Sequence, residues 1–278
     1  MTIFVANANG KVGHEVAKGL IAAGHSVRIG AHTPAKTASA FKGAEIVAFD
    51  YADPDSIAAA LQGARSVFTA APFPLLPKAE IDLVSAAKAA GVKRIIKLSA
   101  MGAEHFPGAP HAAAEAAVAA SGLEWTFLRP NAFMQNYATL SAEGIRRTAA
   151  IYEPAADAAT SFVDTRDIAA VAVKVLTEPG RNGKAYTLTG PQALDRNAVA
   201  RALSEASGKT IAYVPVDDAA LRNAMAGAPP VMIELMSALF ARIRSGQTAT
   251  VAPDIREVLG REAISFAQFA KDYAAAWA

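Results

Sequence analysis

The feature that most constrains this chain is a repeated alternation of two hydrophobic periods through its first half. Short β-prone runs stand at Thr2–Ala6, Ser26–Ala31, Ala44–Phe49, Ser66–Ala71, Lys93–Ser99 and Trp125–Arg129. Between them, apolar residues recur at helical spacing in Val12–Ala23, Pro54–Leu61, Ala79–Ala90 and Ala112–Ala120. Near-continuous apolar strands alternating with amphipathic helices indicate a parallel sheet covered by helices on both faces. Gly24, Gly43, Gly63, Gly91 and Gly122 each follow a helical run and precede a strand. A glycine there supplies the left-handed residue that ends a helix. The expected fold class is therefore α/β, a Rossmann-type doubly wound parallel sheet.

Beyond Pro130 the rhythm loosens. Asn131–Glu143 mixes aromatic residues with amides, Phe162–Glu178 reads as strand-to-helix, and Ala185–Leu188 is a seventh strand. From Pro191 the pattern is mostly helical, with one short strand at Ile211–Val214. No linker-like tract interrupts the chain, so a single domain is expected over residues 1–278. Its small, mostly helical C-terminal substrate-binding portion is expected mainly from 131–161 and 190–255.

Composition narrows the function classes. The chain has no cysteine, which excludes disulfides, thiolate metal sites, iron–sulfur clusters and a cysteine nucleophile. Lys and Arg total 27 against 25 Asp and Glu, so the net charge of +2 gives no nucleic-acid footprint. The charge-free runs fall well short of the roughly 20 apolar residues needed to span a bilayer. The opening Met-Thr-Ile-Phe-Val carries neither a basic leader nor an apolar signal core. A soluble, cytoplasmic protein without membrane or nucleic-acid partners is expected, as a monomer or homodimer.

The first strand runs into Asn7-Ala8-Asn9-Gly10-Lys11-Val12-Gly13, which opens the first helix. A dinucleotide site needs glycines here, because the backbone must approach a pyrophosphate and the helix must pack closely on its strand. The phosphate then sits at the positive end of the helix. Gly10 and Gly13 hold two of the three expected positions, and Asn7 stands at the first. Asparagine enters the left-handed region more readily than other non-glycine residues, so the turn stays open to it.

Cofactor choice is read at the end of the second strand. NAD sites place an acidic residue about 20 positions after the glycines, to bind the ribose 2′-hydroxyl. No Asp or Glu lies between Glu15 and Glu45, whereas Arg28, His32, Lys36 and Lys42 do, with Lys11 in the loop itself. A basic neighbourhood attracts a 2′-phosphate. NADP (NADPH) is therefore expected over NAD.

Further motifs stand in order along the chain. Asp50-Tyr51 follows the third strand, and Ala90–Ile96 reads Ala-Gly-Val-Lys-Arg-Ile-Ile. Then come His111-x-x-x-Glu115, Trp125–Pro130 with Asn136 beyond it, Asp164-x-x-Asp167-Ile168-Ala169, and the late Leu259-Gly260. In their order and spacing these resemble the NmrA-like branch of the atypical short-chain dehydrogenase/reductases, over nearly the whole chain. That group includes quinone reductases, triphenylmethane reductases and non-catalytic NADP sensors. The resemblance implies that Asn9 to Gly13 cradle the pyrophosphate and that His32 with Lys36 faces the adenosine ribose or its phosphate. It implies that Asp50 and Tyr51 border the adenine. Ala70, Ala71 and Pro72, together with Ser99, Ala100 and Met101, would line the nicotinamide ribose. Two positions depart from the pattern: Asn7 replaces the usual first glycine, and His32 stands where arginine is common.

Tyrosine-dependent relatives use Tyr-x-x-x-Lys to move the proton of a carbonyl oxygen. Four residues after the six tyrosines stand Asp55, Ser141, Ala156, Gly190, Asp217 and Trp277, and none is lysine. Hydride transfer to a quinone or a cationic dye needs less help, since the acceptor is electrophilic and the product charge delocalised. A flat apolar pocket suffices, and Phe73, Phe106, Phe133, Asn136 and Tyr137 supply its residue types after strands four, five and six.

His111 begins the helix after strand five. It is a candidate catalytic donor to a developing oxyanion, or alternatively a helix cap or a partner of Glu115. Asp164 and Asp167 flank a strand-to-helix junction and read as structural caps. The other histidines show no metal-ligand spacing. The expected activity is NADPH-dependent hydride transfer to a quinone or similar conjugated, aromatic small molecule. The alternatives are a non-catalytic NADP(H)-sensing regulator, or an isomerase or epimerase of a biosynthetic intermediate.

Overall fold

The computed structural model describes residues 1–106 and 108–278. The first 130 residues give β1 (Thr2–Val5), α1 (Lys11–Ala22), β2 (Val27–Ala31), α2 (Pro34–Thr37) and β3 (Glu45–Ala48). They continue with α3 (Pro54–Leu61), β4 (Ala64–Thr69), α4 (Lys78–Ala89), β5 (Arg94–Leu98), α5 (Pro110–Ala120) and β6 (Glu124–Pro130). The remainder holds α6 (Gln135–Thr139), α7 (Ala142–Thr148), β7 (Ala150–Glu153), α8 (Thr165–Thr177), β8 (Lys184–Leu188) and α9 (Arg196–Ser207). It closes with β9 (Ala212–Pro215), α10 (Asp218–Ala224), α11 (Pro230–Arg244), α12 (Asp254–Leu259) and α13 (Phe266–Asp272).

The chain forms two compact units. The first comprises Met1–Pro130, Thr165–Leu188 and Asp254–Arg261; the second comprises Asn131–Asp164, Thr189–Pro253 and Glu262–Ala278.

Unit 1 carries a seven-stranded, all-parallel sheet in the order β3-β2-β1-β4-β5-β6-β8. The strand order reverses between β1 and β4, and in such sheets ligands bind where the carboxyl ends of the strands diverge at that point. Phe4, Leu61, Val67, Leu83 and Ile95 are among the residues that fill the layer between the sheet and its helices. In α1 the residues Val12, Val16 and Leu20 are buried, as their spacing requires. All five glycines expected to end helices have positive φ, from 72° to 92°. The doubly wound fold is thus as expected.

Unit 2 is mostly helical with a two-stranded parallel sheet, β7 beside β9. Its core is an aromatic cluster of Tyr137, Phe162, Phe266, Phe269 and Trp277. The strand expected at Phe162 is only an isolated bridge, Val163 to Phe133, before α8 begins. Among the described residues no helix is long and apolar enough to cross a membrane. No cluster of three His, Cys, Asp or Glu suited to a metal is found among them either.

Candidate cofactor site

The β1–α1 loop sits at the switch point of the unit 1 sheet. Asn7 adopts φ 59°, the left-handed conformation that glycine usually supplies. Its Nδ2 donates to Ala70 O at 2.8 Å, which ties this loop to the segment leaving β4. Asn7 O accepts from Gly10 N at 3.0 Å and closes the turn. A Cβ on Gly13 would lie 2.3 Å from Asn7 O and 2.9 Å from Asn7 C, so only glycine fits there. Gly10 precedes α1 with extended geometry and has no side chain to cap the helix, and the first turn contains no acidic residue. An uncapped helix start of positive potential beside a glycine loop fits a pyrophosphate. Asn9 Nδ2 donates to Thr37 Oγ1 at 3.3 Å, while Val12 is buried beneath the loop. Lys11, the first helical residue, is partly buried, which lowers the pKa of its ammonium.

The surroundings of the residues expected at the adenosine end differ from expectation in two respects. Arg28 is not part of it: its guanidinium pairs with Glu45 at 2.8 Å and donates to Ala60 O and Gln62 O. That charge is used between β2 and β3. His32 and Lys36 are exposed at the end of β2 and on α2, as placed by the sequence. Yet His32 Nε2 stands 3.3 Å from Asp50 Oδ2, so a carboxylate does reach this corner, delivered from the end of β3. The window between Glu15 and Glu45 could not reveal it. Tyr51 packs edge-on against Phe49, 4.8 Å between ring centroids, and its hydroxyl lies 3.2 Å from Thr69 Oγ1.

The residues expected around the nicotinamide ribose lie in the segments leaving β4 and β5. Ala70 is buried, Ala71 half-buried and Pro72 exposed. Ser99 N donates to Leu128 O at 2.7 Å and Met101 N to Pro130 O at 2.9 Å, with the half-buried Ala100 between them. Ser99 Oγ is buried and has no hydrogen-bond partner among the described residues. A buried hydroxyl without a partner costs free energy unless a ligand satisfies it, which again fits a polar cofactor here.

Under these segments runs a network that was not anticipated. Lys97 and Glu80 are both 0% exposed, and Lys97 Nζ lies 2.5 Å from Glu80 Oε2 in a contact ion pair. Glu80 Oε1 accepts from Thr69 Oγ1 at 3.2 Å and from Ala71 N at 3.3 Å. Lys97 Nζ also reaches His111 Nδ1 at 3.3 Å and Leu98 O at 3.3 Å. A lysine in the centre of an apolar parallel strand, Arg-Ile-Ile-Lys-Leu, was the available signal, because such a charge needs a buried partner.

His111 takes neither structural role open to it in the sequence. The residue before α5 is Ala109, with no side-chain cap, and Glu115 is held in a bidentate grip by Arg129 at 2.7 and 3.0 Å. Burial and the nearby Lys97 charge push the His111 imidazole down to about 3, so it is neutral in ordinary buffers.

The expected acceptor-lining residues belong to both units. Phe73 is half-buried at the start of a short 3-10 turn after β4, and Phe106 is 47% exposed after β5. Phe133 and Asn136 are half-buried in unit 2. Tyr137 is a correction: it is 3% exposed, rings of Phe162 and Phe266 pack edge-on against it, and its hydroxyl donates to Glu153 Oε2 at 3.4 Å. It is core, not pocket lining. Asp164 Oδ1 accepts from Gln135 Nε2 at 2.8 Å, and Asp167 pairs with Arg261 at 2.7 Å, both structural.

A family model described as the NmrA-like family matches residues 1–264. The chain is 38% identical over 245 residues to the NAD(P)H azoreductase of Xenophilus azovorans, covering 85% of each chain. It is 38% identical over 283 residues to a (4-alkanoyl-5-oxo-2,5-dihydrofuran-3-yl)methyl phosphate reductase of Streptomyces griseus, covering 99% of each. Its structure resembles that of the NADPH-dependent quinone oxidoreductase of Escherichia coli complexed with NADPH. The TM-score there is 0.87, at 25% identity over 98% of this chain and 99% of the other.

Proposed function

This chain belongs to the NmrA-like family as an oxidoreductase, and on that footing we propose that it is an NADPH-dependent reductase of quinones and similar conjugated acceptors. The observation that carries the reading is the loop at the switch point, where Asn7, Gly10 and Gly13 leave an uncapped helix start facing the carboxyl ends of β1 and β4. The related enzymes reduce an azo bond, an unsaturated lactone and a quinone, all conjugated electrophiles.

When bound, the dihydronicotinamide supplies a hydride. The chain does the rest. Gly10 and Gly13 admit the pyrophosphate, and Lys36 provides positive potential at the 2′-phosphate beside the His32 imidazole. Ala70–Pro72, held by Asn7 and Glu80, and the Ser99 hydroxyl orient the nicotinamide ribose. Phe73 and Phe106 offer flat apolar surface at the same sheet edge. Neutral His111 offers an N–H to charge developing on the acceptor. No tyrosine is paired with a lysine four residues on, so unactivated aldehydes and ketones are poor substrates. A sensor that turns nothing over would show NADPH binding without consumption.

Cofactor preference is tested by fluorescence titration with NADPH and NADH. NADPH is expected to bind more tightly, since Lys36 is a cation at this corner and the Asp50 carboxylate there is engaged by His32. His32→Asp sets two carboxylates side by side and is expected to shift preference toward NADH. Equal affinities in the wild type, or no shift in the variant, would contradict this assignment. The acceptor class is tested by following NADPH consumption with quinones, azo and triphenylmethane dyes, and aldehydes. The first three are expected to be consumed and aldehydes to remain near background.

A further inference from the structure

We infer that Lys97 is a positioning residue that fixes His111 as a single neutral tautomer, with Nδ1 accepting and the proton on Nε2. The inference rests on the reductase reading for its purpose, but not for its geometry. Lys97 is fully buried, and its ammonium is compensated by the equally buried Glu80 carboxylate 2.5 Å away. An ammonium donates and never accepts. Its 3.3 Å contact with His111 Nδ1 therefore requires that nitrogen to be unprotonated. A neutral imidazole with a bare Nδ1 carries its hydrogen on Nε2, the ring atom on the side away from Lys97.

The surrounding charges agree. α4, β6 and the 3-10 turn Ala103–His105 pack against α5. From these elements come Glu80, Arg129, Glu104 and His105. Glu115, on α5 itself, would attract a proton to His111, but Arg129 holds both its oxygens, and Arg129 also pairs with Glu104 at 3.2 Å. His105 lies 3.8 Å from Glu104. Among the described residues no carboxylate is found in contact with the His111 ring to stabilise an imidazolium, whereas a cation is. The result is a fixed hydrogen-bond donor whose state does not change with pH in the working range. Such a donor suits an acceptor that gathers delocalised negative charge and is protonated afterwards from solvent.

The same chain of bonds links this donor to the cofactor loops. Glu80 holds Ala71 N through Oε1 and Lys97 through Oε2, so one carboxylate orients the segment after β4 and the histidine of α5. Thr69 and Tyr51 extend the chain to the end of β3.

Nitrogen-15 spectra of the imidazole rings test this without any turnover, with His111→Gln identifying the signal. In the wild type, His111 is expected to show protonated Nε2 and bare Nδ1, unchanged from pH 5 to 8. Lys97→Met paired with Glu80→Gln removes both charges and guards against a misfolded single variant. In that protein His111 is expected to populate both tautomers. In turnover the pair is expected to lower kcat about tenfold or more. A wild-type His111 that titrates between pH 5 and 8, carries its proton on Nδ1, or keeps its tautomer in the double variant would overturn the inference. Because the tautomer is read in the resting protein, a chain that reduced no acceptor would contradict the reductase reading alone.

Discussion

Gly13→Ala is expected to weaken NADPH binding about a hundredfold. The added Cβ would meet Asn7 O at 2.3 Å and Ala8 Cα at 3.2 Å, and both are backbone atoms that no rotamer change can move. Either α1 retreats from the loop or the loop opens. Overpacking of this kind costs about 1–3 kcal/mol, with about 1.4 kcal/mol per tenfold in affinity. Both responses displace the N–H groups that would face the pyrophosphate, so the loss falls on cofactor affinity as well as stability. Gly144→Ala is the control, because nothing lies within 4 Å of a Cβ there and α7 gains a better helix former. Fluorescence titration and a melting curve on both variants decide the matter. Unchanged NADPH affinity in Gly13→Ala would place the dinucleotide elsewhere.

Glu80→Gln is expected to lower the melting temperature by about 10 °C. Removing one partner of a fully buried ion pair strands the other, at a cost of about 3–5 kcal/mol. In a chain of this size about 1 kcal/mol corresponds to about 2–4 °C. Glutamine keeps an acceptor for Thr69 and Ala71 N, so the expected loss comes from the uncompensated Lys97 charge rather than a broken loop. Adding Lys97→Met should restore much of it, since replacing both members of such a pair is often close to neutral. A shift of less than 2 °C in the single variant would contradict this cost.

The fold was legible because its signals are local. Val12, Val16 and Leu20 mark a helix face within one turn of each other, and Gly24 or Gly91 ends a helix by its own φ. Asn7 belongs with these, since its tolerance of the left-handed region is intrinsic to the side chain. The residues that chemistry depends on were less legible, because their partners come from other strands. Asp50 reaches His32 only when β3 lies beside β2, and no count along the chain exposes it. Arg28 looked available for a phosphate until Glu45 came alongside on the neighbouring strand. Lys97 and Glu80 are separated by a whole helix and meet only through the packing of α4 on the sheet. Tyr137 misled for a different reason. Aromatic residues beside amides suggest a pocket, but its ring completes the unit 2 core and its hydroxyl finds Glu153.

Under the proposed function, hydride passes directly from a dinucleotide held by the β1–α1 loop, with no other redox group. The most direct test is NADPH oxidation by exhaustively dialysed protein in the presence of a chelator and a quinone. Undiminished turnover is predicted, because the loop fits a nicotinamide cofactor and the chain contains no cysteine to hold a thiolate-ligated centre. Activity that vanishes on dialysis and returns only on adding flavin or a metal ion would contradict the account.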